Sequence, residues 1–117
     1  MSQEKTAIFA FQGNPMCFIH VLLNAIDLHE KGMEGAIVIE GEAVKLVPDM
    51  SEPGHFLSKH YERAKELGLI REVCLACSKK LGVAEAVKEA GLPLKGDMSG
   101  HPSMSKYLAD GYRVITL

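Results

Sequence analysis

Apolar residues in this chain fall in two kinds of pattern: short unbroken runs, and segments where they return every three to four positions. Lys5-Thr6-Ala7-Ile8-Phe9-Ala10-Phe11 is a run of the first kind, and it ends at the polar, turn-prone Gln12-Gly13-Asn14-Pro15. It predicts a strand followed by a loop. From Met16 to Lys31 the period changes. Ile19, Leu22, Leu23, Ile26 and Leu28 make one broad apolar face, with Asn24, Asp27, Glu30 and Lys31 mostly opposite. That spacing predicts an amphipathic helix, stopped by Gly32. Gly35-Ala36-Ile37-Val38-Ile39-Glu40 is again continuous, the pattern of a strand covered on both faces. Ala43 to Val47 either extends that strand past a bulge or begins a short helix. Pro48 to Gly54 reads as a loop and as the mobile segment of the chain. A second helix is expected over 55–67, with Phe56, Leu57, Tyr61, Ala64 and Leu67 as its apolar positions. A third strand follows over 72–76, a helical turn over 78–81 ended by Gly82, and a helix over 84–90. A weaker strand within 92–98, a loop over 99–102, a helix from Pro102 or Ser103 to Ala109 and a strand over 112–117 complete the reading.

Strands alternating with helices imply parallel pairing through right-handed crossovers. The fold class is therefore α/β: a single-domain three-layer α/β/α sandwich over residues 1–117, with a mostly parallel sheet of about five strands. Composition does not disturb this picture. Of 117 residues, 47% are hydrophobic and 24% charged, both ordinary for a globular chain. The net charge of -2 provides no basic excess to displace phosphate counterions, so nucleic acid is not expected as a partner. No apolar run approaches the roughly 18 residues of a membrane span. Met1-Ser2-Gln3-Glu4-Lys5 carries an acid and leads into only a short apolar run, which is not a secretory signal. The expected location is cytoplasmic, where thiols stay reduced.

That matters because the chain has three cysteines, an odd number that rules out a complete set of structural disulfides. Cys74-Leu75-Ala76-Cys77-Ser78-Lys79-Lys80 falls where the third strand gives way to helix. In an open parallel sheet this is the carboxyl edge, where ligands bind. A helix start and the ammonium groups of Lys79 and Lys80 would favour the thiolate, and Cys77 stands nearer to both than Cys74 does. On these grounds Cys74 or Cys77 should alkylate faster than Cys17. A structural zinc site needs four ligands, and no second Cys pair or following His pair supplies them. His55 and His60 have a compatible spacing but precede the cysteines on a helix with an apolar face. No metal and no cofactor is assigned; the phosphate-binding pattern Gly-x4-Gly-Lys is absent. A thioredoxin-like centre would follow an early strand rather than the third. The third reading, beside zinc and redox, is a single nucleophilic thiolate that accepts or passes on a persulfide. On the same sheet edge lie Asn14, a helix cap or pocket residue, Cys17 beside it, and His101, the best candidate for a cation or acid next to a thiolate. His20 and His29 read as surface histidines.

Val73-Cys74-Leu75-Ala76-Cys77-Ser78-Lys79-Lys80-Leu81-Gly82-Val83 resembles the cysteine segment of the DsrE/DsrF-like family. These are small cytoplasmic α/β proteins tied to sulfur relay, including the TusD-type proteins of tRNA thiolation. In that family a Cys follows the third strand and a Gly comes about eight positions later, as Cys74 and Gly82 do here. Lys31-Gly32 with the apolar strand after it, and Tyr107-Leu108-Ala109-Asp110-Gly111-Tyr112-Arg113-Val114-Ile115, are similar too. The resemblance implies a sulfur carrier or sulfurtransferase-type protein with Cys74 as the sulfur-accepting residue. It also implies a homo-oligomer, trimer or hexamer, and a protein sulfur donor or acceptor. Cys77 is an addition to the single-cysteine pattern and could resolve a persulfide on Cys74 by closing a disulfide. The reading from another class is a small-molecule or partner-binding module of the same fold, without turnover, whose cysteines are structural or bind metal.

Overall fold

The computed structural model describes residues 3–117. Five strands form one sheet in the order β4-β3-β2-β1-β5, and every pair is parallel. In chain order these are β1 (Lys5–Ala10), β2 (Glu34–Ile39), β3 (Ile70–Cys74), β4 (Leu94–Lys95) and β5 (Arg113–Thr116). The helices are α1 (Pro15–Glu30), α2 (Leu46–Met50), α3 (Ser58–Glu66), α4 (Leu75–Lys80), α5 (Ala84–Glu89) and α6 (Met104–Ala109). The expected alternation is therefore present, and the sheet is wholly rather than mostly parallel.

Local chemistry explains the boundaries. Asn14 caps α1: its side-chain oxygen accepts the Met16 N–H at 2.8 Å, and Pro15 takes the first helical position, where no N–H is needed. The segment after β2 resolves in favour of helix. A 3-10 turn (Gly41–Lys45) leads directly into α2, so the loop expected from Pro48 begins only after Met50. Pro48 is tolerated because it lies in the first turn of α2. Ala43, Val44, Leu46, Val47 and Met50 are all buried, and this burial sets the helix against the sheet. The buried face of α1 is Phe18, Val21, Leu22, Ala25 and Ile26, whereas Leu23 faces solvent.

The two faces of the sheet are covered unequally. Ile8, Ala10, Ile37, Ile39 and Val73 pack under α1, α2, α3 and α5 in the main core. Each of the isoleucines and the valine contributes roughly 1.5–3 kcal/mol when fully buried. On the other face Ala7, Phe9, Ala36 and Val38 meet Tyr107 of α6 and Tyr112. Phe9 and Tyr107 pack edge to face with ring centroids 5.5 Å apart. This smaller face carries the buried polar groups. The Tyr107 hydroxyl donates to Glu72, and Lys106 bridges Glu72 at 3.0 Å and Asp97 at 3.4 Å. Nearby, Arg71 and the Tyr112 hydroxyl both donate to Glu34.

This topology positions the site. From β1 to β4 the chain moves outward across the sheet. It then has to return past β3, β2 and β1 to reach β5 on the far side. The β4–α6 connection makes that return across the carboxyl edge, over the ends of β3 and β2.

Candidate functional site

Cys74 is both the last residue of β3 and the N-cap of α4. Its Sγ accepts the Cys77 N–H at 3.4 Å, the position a capping oxygen would take. The Cys77 Sγ in turn accepts the Gly41 N–H at 3.3 Å. Gly41 follows Glu40, which continues from the end of β2, so neighbouring strand ends bring Glu40 beside the cysteines. The fourth member comes from the returning connection. Met98 and His101 exchange both backbone hydrogen bonds, at 2.8 and 2.9 Å. Ser99 and Gly100 between them have φ of 51° and 91°. This is a tight two-residue hairpin with positive φ at both central positions. The Gly100 carbonyl accepts the Ala76 N–H at 2.9 Å, which clamps the hairpin onto α4.

The hairpin delivers His101 to the thiols. Its Nδ1 is 3.1 Å from Cys74 Sγ, 3.8 Å from Cys77 Sγ and 3.9 Å from a Glu40 carboxylate oxygen. Cys74 is fully buried and Glu40 nearly so, while Cys77 is partly exposed and 42% of the His101 side chain is open. A cleft of about 390 Å³ opens beside Glu40 and His101, walled by Phe11, Met98 and Met104. Burial pushes the Cys74 thiol up to about 12, and the neighbouring Cys77 adds to the effect. Burial likewise holds the Glu40 carboxyl above its usual range, partly offset by His101.

The DsrE/DsrF-like family matches this chain over residues 5–117. The chain belongs to the DsrE/DsrF-like family. At the level of the family, this membership supports a sulfur-relay type of protein. The DsrE-like chain is 42% identical over 106 residues to the uncharacterized protein MJ0733 of Methanocaldococcus jannaschii, covering 91% of this chain and 84% of that one. It is 39% identical over 62 residues to an uncharacterized protein of Archaeoglobus fulgidus, 53% of this chain and all of the relative. In fold it is similar to the conserved protein BT1422 of Bacteroides thetaiotaomicron. The TM-score is 0.75 at 19% identity, over 97% of this chain and 95% of that structure.

The residues singled out from the DsrE-like sequence divide into two groups. Cys74, Cys77 and His101 converge. Lys79 and Lys80 lie in the last turn of α4, exposed, and neither side chain forms a hydrogen bond or ion pair among the described residues. Asn14 serves as the cap of α1, and Cys17 is exposed on that helix. Neither belongs to the cluster around the thiols. His55 accepts the Leu57 N–H and stacks on Phe56 instead of joining the cysteines. Glu40 is the member that sequence reasoning missed. Its signal was an acid closing an otherwise apolar strand at the carboxyl edge. Among the described residues, no helix is long and apolar enough to cross a membrane.

Proposed function

We propose that this protein is a sulfur carrier that takes up sulfane sulfur as a persulfide on the Cys74–Cys77 pair. The observation that carries this reading is the contact of His101 Nδ1 with Cys74 Sγ at 3.1 Å, with Cys77 in the same group. Family membership supports the sulfur chemistry, and the family spacing favours Cys74 as the resting position of the sulfur. Burial supports a division of labour. Cys77 is partly exposed and meets the donor; Cys74 is sealed from water and holds the sulfur.

In the first step the Cys77 thiolate attacks the terminal sulfur of a donor persulfide. A new S–S bond forms at Cys77, the donor S–S bond breaks, and the donor leaves as a thiolate. In the second step Cys74 gives its proton to His101 and attacks that same terminal sulfur. The Cys77–sulfur bond breaks, Cys77 leaves as a thiolate, and His101 passes the proton to that thiolate. No net oxidation occurs in either step. Release runs the same displacements in reverse: Cys77 takes the sulfur back from Cys74, and an acceptor thiolate removes it from Cys77. A protein donor or acceptor, a cytoplasmic setting and a homo-oligomer that covers the cleft all fit this chemistry.

The test is mass spectrometry of the reduced protein after exposure to a low-molecular-weight persulfide. One added sulfur atom is expected, located on Cys74 by peptide fragmentation. Cys77→Ser should load much more slowly. Cys74→Ser should load on Cys77 and lose the sulfur faster. No added sulfur, or sulfur on Cys17 alone, would refute the reading.

A further inference from the structure

Glu40, Cys74, Cys77 and His101 come from three separate stretches, yet one ligand atom of each lies within 4.8 Å of all the others. We propose that this cluster is a closed, four-ligand zinc site, bound through the two Sγ atoms, His101 Nδ1 and one Glu40 carboxylate oxygen.

The geometry is close to what zinc needs. Bond lengths of about 2.3 Å to sulfur and about 2.0–2.2 Å to nitrogen and oxygen put neighbouring ligands in a tetrahedron roughly 3.3–3.8 Å apart. The sulfur–nitrogen separations here are 3.1 and 3.8 Å, and the nitrogen–oxygen separation is 3.9 Å. The side chains therefore need to move by only a fraction of a bond length. The donor set selects the ion. Two thiolates with an imidazole suit zinc and exclude magnesium or calcium, which take oxygen ligands. Glu40 points the same way by a different route. It is buried at 7% exposure, and the only basic side chain within ion-pair distance among the described residues is His101, at 3.9 Å. A buried carboxylate with so little compensation is a costly arrangement that a cation would relieve. The outer contacts fit as well: Gly41 N–H donates to Cys77 Sγ, and Cys77 N–H donates to Cys74 Sγ. Such hydrogen bonds orient thiolate ligands and spread their charge.

Binding releases two thiol protons to solvent and transfers no electrons. With a neutral imidazole, the two thiolates and the carboxylate leave the complex with one net negative charge. All four positions are filled by protein, so the metal would tie the ends of β2 and β3 to the hairpin rather than activate water. This inference does not rest on the sulfur reading. Zinc and sulfane sulfur compete for the same thiolates, so each requires the other to be absent.

The experiment titrates Zn2+ and Co2+ into the reduced, metal-free protein. One ion per chain is expected, and the cobalt form should show the strong ligand-field bands of a tetrahedral site with a thiolate-to-cobalt charge-transfer band. Cys17→Ser should leave the spectrum unchanged, and Cys74→Ser and Cys77→Ser should abolish it. Glu40→Gln and His101→Ala should each weaken zinc affinity by at least about tenfold, the low end of what is lost with a metal-site partner. Circular dichroism checks that each variant is folded; if one is not, the wild-type cobalt spectrum alone decides. Absent or weak six-coordinate bands would overturn the proposal, as would affinity unchanged in either folded variant. Persulfide loading of the metal-free protein is scored separately, so failure of one reading leaves the other standing or falling on its own measurement.

Discussion

His101 Nδ1 stands 3.1 Å from Cys74 Sγ, although the two residues are 27 positions apart and belong to different elements. The contact gives a buried thiol one adjacent proton acceptor. Removing it with His101→Ala should slow persulfide uptake by Cys74 by about a hundredfold, the lower range for a general base. Loading rates for wild type and variant, measured on metal-free protein, check this; equal rates would make His101 a bystander.

Reactivity of the three cysteines should follow exposure. Cys17 is exposed, whereas Cys74 is buried with its thiol pushed up to about 12. At pH 7 a thiol in that condition is far less ionised than a free one, which is about 3% thiolate. Alkylation at pH 7 should therefore modify Cys74 more slowly than Cys17. This reverses, for Cys74, the order that the neighbouring lysines suggest from sequence. Timed alkylation with peptide mapping measures it, and the two rates should converge in denaturant.

Acid sensitivity should trace in part to Glu34. The Tyr112 hydroxyl, at 2.6 Å, and the Arg71 guanidinium, at 2.8 Å, hold its carboxyl below the usual range. Because the folded value is depressed, its stabilisation is present above the unfolded value of about 4.3 and is lost as pH falls through the folded one. Melting curves against pH should show a shallower acid limb for Glu34→Gln than for wild type. Parallel limbs would contradict this.

Gly100→Ala tests the hairpin. Gly100 has φ of +91°, and an added Cβ would sit 3.1 Å from the Ala76 Cβ. A loss of about 1–2 kcal/mol is expected from left-handed strain, together with slower sulfur loading as His101 shifts. Gly54→Ala is the control, since a Cβ there would meet nothing within 4 Å. Denaturant midpoints that fall equally for both would argue against a special role for the turn.

Tyr107→Phe should cost about 1–3 kcal/mol, because it removes a donor from the buried Glu72 carboxylate. Urea unfolding provides the number. The cleft near His101 should be little affected, so sulfur loading in the folded variant should stay near wild type.

Much of the fold was legible because it rests on local periodicity. The run at Gly35–Glu40 and the helical spacing after Met16 each specify an element without reference to the rest of the chain. Boundaries that depend on tertiary burial were less so. Met50 is buried at the end of α2, in a stretch that Pro48 and Gly54 disguised as a loop. At the site, the Cys74–Cys77 spacing was visible because both lie on one segment. His101 could be placed on the correct edge, but not against the sulfur. Glu40 was invisible as a partner because its meeting with His101 depends on strand order and on where the returning connection crosses.

The pairing of β2 with β3 skips a residue: Ile37 stands opposite Ile70, but Val38 stands opposite Glu72, leaving Arg71 as the extra one. If the same residues paired without this bulge, Glu72 would stand opposite Ile39, and an acid would turn toward the main core. A relative with one residue fewer between Gly68 and Cys74 would lack the bulge and keep the same side chains at the strand end. Equivalent positions in such relatives are best counted backward from the cysteine, not forward from the glycine.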